Sequence, residues 1–236
     1  MLDADVIARN VEEVRENIIR AAQRAGRDPA GVRLVAATKS VPPDRIRSAV
    51  EAGVQILGEN RLQDAVPKIE ALRQAAAGLS WHFIGRLQRR KVRTVVGLFE
   101  LIHSVDSLDL AAEIDRRAGE AGVRQKVLLE VNVGGEASKA GVAPAALPEA
   151  LKALEAMPNL MVSGLMTVPP LSADPEQARP YFRELRLLAQ SLAQATLERI
   201  TLSELSMGMS SDYAVAVEEG ATFVRIGTAI FGARRG

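Results

Sequence analysis

The sequence predicts an α/β fold of one domain spanning residues 1–236, a parallel sheet closed into a (β/α)8 barrel with an extra helix at its N-terminus. Three observations carry that prediction. Short apolar runs alternate eight times with segments of helical period, and strands joined through helices lie parallel. The length of 236 residues is close to the roughly 250 of a typical barrel of this kind. The chain is 47% hydrophobic but only 3% aromatic, so the core is built from Ala, Val, Leu and Ile, which suits helices packed closely on a parallel sheet. A doubly wound open sheet is the alternative that shares this alternation.

The elements follow in order. Ile7, Val11, Val14, Ile18 and Ala22 recur at steps of four and three, one apolar stripe on a helix over residues 5–25 that closes near Gly26. Residues 34–39, LVAATK, form the first strand, small and β-branched residues that end on a lysine. Val41-Pro42-Pro43-Asp44 turns the chain into a helix carrying Ile46, Ala49 and Val50 to Gly53. The second strand, 54–57, gives way to Gly58-Glu59-Asn60, and a helix runs from Arg61 toward Gly78. Strand 81–84 ends at Gly85, helix 91–96 follows, and strand 98–102 ends at His103-Ser104. Helix 108–121, strand 126–131 ending at Asn132, helix 147–157 and strand 160–165 ending at Met166-Thr167 continue the pattern. Residues 168–175, with Pro169, Pro170 and Pro175, read as a stiff surface excursion before helix 175–195. Strand 201–205 precedes Ser206-Met207-Gly208, helix 212–219 follows, and strand 222–226 ends at Gly227.

Composition removes several function classes. A net charge of +1 gives no global field that would draw nucleic acid or an anionic membrane. The absence of cysteine excludes a disulfide framework and cysteine-based metal or redox sites. Acids at Asp3 and Asp5, with no long apolar run, speak against a signal peptide or membrane span, so the cytoplasm is the simplest setting. His82, between Trp81 and Phe83, reads as a packed residue, and neither it nor His103 has metal-ligand spacing to other candidates.

In such a barrel the active groups lie where strands finish, here Lys39, Asn60, Gly85, Ser104, Asn132, Met166, Ser206 and Gly227. A lysine at the lip of an apolar site loses hydration and can attack a carbonyl as the free amine; a lysine that snorkels into water is the plainer reading. Asn, Ser and Gly are also common turn residues. Gly227-Thr228, opening a short helix, offers N–H groups and a hydroxyl to an anion, and Met209-Ser210-Ser211 adds a second hydroxylic turn. A tight turn with an N-cap explains the same Gly-Thr pair. Alternation sets Arg225 on one face with Phe223, at the barrel mouth, where its partner is either a ring nitrogen or an acid such as Glu130 or Glu204.

Taken together, LVAATK, GENRLQD, WHFIGRLQ, HSVD, NVGGEASKAGV, GLMTVPP and LSMGMSSDYAVAVEEGATFVRIGTAIFG resemble, in order from Leu34 to Gly232, the pyridoxal phosphate homeostasis proteins, single-domain relatives of the alanine racemase barrel. The resemblance implies the type III fold for pyridoxal 5'-phosphate (PLP), with PLP as cofactor and a role in intracellular PLP homeostasis without turnover. It implies Lys39 as the lysine that forms the internal aldimine, Ser210, Gly227 and Thr228 as phosphate ligands, and Arg225 beside the pyridine nitrogen. Asn60, His82 and Met207 are similar to residues found near the cofactor. The implied partners are PLP and PLP-dependent apo-enzymes, and the missing second domain of the racemases points to a monomer. Two positions depart from the family: Arg90 stands where an asparagine usually precedes the lysine, and Val41 where many members carry a second lysine. Lys139 is the other candidate amine.

An arginine at the pyridine nitrogen leaves the ring unprotonated and a weak electron sink, which disfavours carbanion chemistry. A PLP-dependent racemase or decarboxylase is the alternative, and it would need Tyr181, Tyr213 or His103 as its second acid/base. A Schiff-base aldolase acting on a phosphorylated sugar is a third class.

Overall fold

The computed structural model describes residues 3–73, 78–136, 140–193 and 199–233. Eight strands close into a barrel in sequence order: β1 (Arg33–Ala37), β2 (Ile56–Glu59), β3 (Ser80–Phe83), β4 (Leu101–Val105), β5 (Gln125–Glu130), β6 (Leu160–Met166), β7 (Ile200–Ser206) and β8 (Phe223–Ile226). Every neighbouring pair is parallel, and β8 returns to β1 with Ile226 opposite Ala36. The helices are α1 (Asp3–Arg24), α2 (Pro43–Glu51), α3 (Leu62–Leu72), α4 (Val92–Val95), α5 (Leu108–Glu120), α6 (Leu147–Glu155), α7 (Arg179–Leu192), α8 (Tyr213–Glu218) and α9 (Thr228–Phe231). This is the (β/α)8 barrel with an added N-terminal helix that the alternation of the sequence predicts.

Two apolar compartments follow from the period of two along each strand. Side chains facing out, such as Ala36, Leu57, Ile102 and Val224, join the helices' buried stripes in the larger cluster. Those facing in, Val35, Leu101, Leu128, Met166 and Phe223, fill the barrel with Ile56 and Ile84 against them. At the end where strands begin, Arg33 pairs with Glu204 and its guanidinium carbon stands 3.8 Å over the Phe223 ring, while Lys126 meets Glu100 at 3.3 Å. That floor is charged. Cavities lined by Lys39 and by residues that follow β2, β3 and β8 open at the other end, the mouth.

The stripe on α1 buries Ile7, Val11, Val14 and Ile18 against α2, α8 and α9. Asn10 donates to the Ile230 carbonyl (2.8 Å) and Asn17 to the Tyr213 hydroxyl (3.0 Å), so α1 fastens the elements that follow β7 and β8. Several boundaries differ from expectation. β1 closes at Ala37, so Thr38 and Lys39 lie in the turn that follows it and not in the strand. Residues 175–178 form a separate 3-10 turn before α7. Gly58 and Glu59 belong to β2, not to its terminal turn. His103 and Ser104 lie within β4 instead of closing it. Polar residues suggested a turn there, but the inner face of this barrel accommodates them. Among the described residues no helix is long and apolar enough to cross a membrane, and no three His, Asp or Glu side chains come together as metal ligands.

Candidate functional site

Lys39 follows β1 by two residues, and the backbone beneath it is held on three sides. Thr38 donates its N–H to the Gly58 carbonyl (2.9 Å) and its hydroxyl to Glu59 Oε1 (2.6 Å), while its own carbonyl accepts from Lys68 Nζ (2.7 Å). Lys68 also pairs with Glu59 at 2.6 Å, and Thr38 and Glu59 are completely buried. Val41 N–H closes a turn onto the Thr38 carbonyl (2.9 Å), with Ser40 at φ +60°. The half-buried Lys39 side chain emerges from this clamp at the mouth.

Two cavities meet at that lysine. One, of about 590 Å³, is lined by Lys39, Ser40, Arg45, Gly227 and Thr228. The other, of about 600 Å³, is lined by Lys39, Asn60, Arg61, Gly85, Arg86 and Lys91. In the second, Asn60 Oδ1 is buried, and among the described residues no donor reaches it. Gly85 lies so close to Asn60 that a Cβ would sit 2.4 Å from the Asn60 carbonyl oxygen, so only glycine lets the two strand ends approach.

The pairing of β8 with β1 brings Gly227 beside Ala37, one step from the clamp. Ser210 reaches the same turn from the β7–α8 loop: its Oγ accepts from the N–H groups of Gly227 (3.3 Å) and Ala229 (3.2 Å). That loop is fixed by Asp212 Oδ1, which accepts from Met209 N–H (2.6 Å), and by the Gly208 carbonyl, which accepts from Arg225 N–H (2.9 Å). Thr228 is exposed.

Arg225 is buried below the mouth, donating to Ser206 Oγ (2.6 Å) and to the Thr167 carbonyl (3.0 Å). Burial pushes its guanidinium down to about 10, against the pull of Glu130 and Asp212. Burial raises both of those carboxyls; Asp106 adds to the effect at Glu130, whereas Arg225 opposes it at each. Ser206 Oγ also lies 2.7 Å from His103 Nδ1, and His103 Nε2 lies 2.9 Å from His82 Nδ1. Burial pulls His82 down to about 4 and His103 well below the usual histidine value. Both rings meet Phe223 edge-on at 5.4 Å.

Over residues 9–235 the chain matches the family described as alanine racemase, N-terminal domain. A protein of Aquifex aeolicus named pyridoxal phosphate homeostasis protein is 48% identical over 225 residues, 95% of this chain and 97% of that one. The chain belongs to the pyridoxal phosphate homeostasis protein family.

A second member of that family, from Pseudomonas aeruginosa, is 44% identical over 228 residues, covering 97% of this chain and 96% of its own. The structure of PipY from Synechococcus elongatus with PLP bound superposes with a TM-score of 0.79 at 39% identity, covering 92% of this chain and 100% of PipY. Alanine racemase of Corynebacterium glutamicum shares the fold, with a TM-score of 0.69 at 17% identity over 98% of this chain and 62% of the racemase.

Within the pyridoxal phosphate homeostasis fold the residues singled out from the sequence fall into three groups. Lys39, Gly227 and Thr228 line one cavity, Asn60 lines the adjoining one, and Ser210 stands behind the Gly227 turn. Arg225 and His82 occupy the barrel interior, His82 joined to Arg225 through His103 and Ser206. Met207 is buried among apolar side chains outside the barrel wall. Lys139 lies outside the described residues. Of the two acids considered for Arg225, Glu204 is committed to Arg33 and Thr222 at the floor. Glu130 does act on Arg225 through its charge, but the hydrogen-bond partners are Ser206 and the Thr167 carbonyl, which inward-facing parity carried from β8 to β7 and β6 could have suggested.

Proposed function

We propose that this protein binds PLP at the mouth of the barrel, between the ends of β1 and β8, holds it covalently through Lys39, and gives it up to PLP-dependent apo-enzymes without turning over a substrate. The observation that carries this reading is the single cavity shared by the Lys39 amine, Gly227 and Thr228. The donor set fits the group: the Lys39 amine, the Thr228 hydroxyl, a Ser210 hydroxyl whose oxygen accepts from Gly227 and Ala229 N–H and whose hydrogen is left to donate to a phosphate, and a fixed guanidinium deeper in. The buried Oδ1 of Asn60 adds an acceptor with its valence unfilled.

PLP, when bound, supplies an aldehyde that an amine captures. The protein's part is to present that amine: the Thr38–Glu59–Lys68 clamp fixes the backbone from which Lys39 extends. Arg225 offers hydrogen bonds but no transferable proton. Of the three groups a racemase could use as a second acid/base, His103 is engaged inside the barrel, the Tyr213 hydroxyl is engaged with Asn17, and Tyr181 lies on α7, packed against the outer core. Relatives of high identity carry the homeostasis name, which supports the same reading.

Borohydride trapping followed by peptide mapping tests the attachment. The expected product is a yellow protein whose visible band disappears on reduction and whose label maps to the peptide containing Lys39, with Lys39→Ala unlabelled there. A label on another lysine would reject the assignment. In deuterated water the loaded protein is expected to leave the α-protons of added amino acids unexchanged; sustained exchange would mean an enzyme.

A further inference from the structure

Behind Arg225 runs a line of hydrogen bonds through the barrel, from Ser206 to His103 to His82, in which each direction is forced by the one before. A guanidinium has only donors, so Ser206 Oγ accepts from Arg225. Ser206 is fully buried, and among the described residues the acceptor in reach of its own hydrogen is His103 Nδ1, at 2.7 Å. A ring nitrogen that accepts carries no proton, so the proton of neutral His103 is on Nε2, from which it is donated to His82 Nδ1 at 2.9 Å. His82 is then also protonated on Nε2.

We infer that Ser206, His103 and His82 are positioning residues which, as a one-way chain of donors with both histidines neutral and Nε2-protonated, lock the Arg225 guanidinium in place and withhold protons from whatever docks against it. The second half of this statement rests on PLP binding at the mouth, as proposed above. Every hydrogen in the chain points away from the mouth. Reversing it would require a charged imidazole in the interior, where burial opposes protonation of both rings. The charged groups facing the pair do not rescue that form: Arg33 and Lys126 oppose it at His82 against Glu100, and Arg225 and Arg33 oppose it at His103.

The chain contains two histidines, which makes the test direct. In the full-length protein labelled with 15N-histidine, with His82→Gln used for assignment, both rings are expected to show a bare Nδ1 and a protonated Nε2 at neutral pH and still at about pH 5.5, one unit below the ordinary histidine value. A proton on Nδ1 of either ring would overturn the inference. PLP titration supplies the second arm. His103→Leu interrupts the chain and is expected to weaken PLP binding about tenfold, whereas His103→Gln, whose amide can accept from Ser206 and donate to His82, is expected to stay within about threefold of the unaltered protein. Equal affinity in the Leu variant would overturn the positioning role. Failure of the unaltered protein to bind PLP would reject the site reading and with it the role at the mouth, while the ring tautomers, read without PLP, decide the direction of the chain independently.

Discussion

Lys68 is the residue on which the placement of Lys39 depends most. It sits in a low-dielectric pocket with Glu59, and its ammonium also holds the Thr38 carbonyl one residue before the reactive amine. Two charges taken out of water cost several kcal/mol each, so the pair is no net gain over a well-packed apolar substitute; removing one member, however, strands the other. Glu59 Oε2 is already buried with no hydrogen-bond partner among the described residues, and Lys68→Met would leave the whole carboxylate without its cation. Lys68→Met is expected to cost about 3–5 kcal/mol in urea unfolding, and the double variant with Glu59→Leu to recover a large part of it. A single-variant cost below about 1 kcal/mol would show that water reaches the pair. On the other side of the mouth, Asp212→Ala removes the acceptor for Met209 N–H, a loss of about 1 kcal/mol that should loosen Ser210 and lower PLP affinity several-fold in a titration. Unchanged affinity would separate Ser210 from the phosphate.

At the scale of elements, the seam between β6 and β7 is where the barrel tolerates least. The register shifts at Ser163, and a Cβ on Gly164 would lie 1.8 Å from the Glu204 carbonyl oxygen, closer than any rotamer change can relieve. Gly164→Ala is therefore expected to destabilise by about 3 kcal/mol or more, whereas Gly31→Ala, in open space, is expected to change stability by less than about 1 kcal/mol. Matching urea curves for the two would contradict the close approach. Irregularities of this kind also mark the limit of what the sequence discloses. Apolar alternation was sufficient to find all eight strands, and the stripe from Ile7 to Ile18 was sufficient to find α1, because burial on one face leaves a period. It could not say that α1 would cover α8 and α9, since a stripe names no partner. Lys39 was legible as a residue just beyond a strand end, and the Ser210 and Gly227 segments as polar turns after the last two strands, because both are local. The line from Arg225 to His82 was not. It joins β3, β4, β7 and β8, and although alternation from Leu101 turns His103 inward, nothing local says which inward residues of four separate strands meet.

For the molecule as a whole, the same interior histidines set how stability depends on pH. His82 titrates at about 4 in the folded protein and near 6.5 in an unfolded chain, and His103 is displaced in the same direction. Above pH 6.5 both states hold neutral rings and the histidines contribute nothing to the slope. Below it the unfolded chain takes up protons that the barrel refuses, so stability falls with pH, by about 1 kcal/mol for each histidine between pH 6.5 and 5.5. Glu130 and Asp212 act oppositely, because their folded values lie above the ordinary 4.5 and 3.8, and protonation then favours the folded state. The paired acids Glu218 and Glu219, held low by their arginines, lose their contribution only as pH drops below about 4.5. Between 6.5 and 5.5, then, the histidines lower stability as pH falls, and of the groups named only the raised carboxyls of Glu130 and Asp212 oppose them. Urea unfolding is expected to lose about 2 kcal/mol across that range, and a protein carrying His82→Gln and His103→Gln to lose less than about 0.5 kcal/mol. A flat profile in the unaltered protein would mean that the interior accepts protons as readily as water does, and that Arg225 stands on a chain that can reverse.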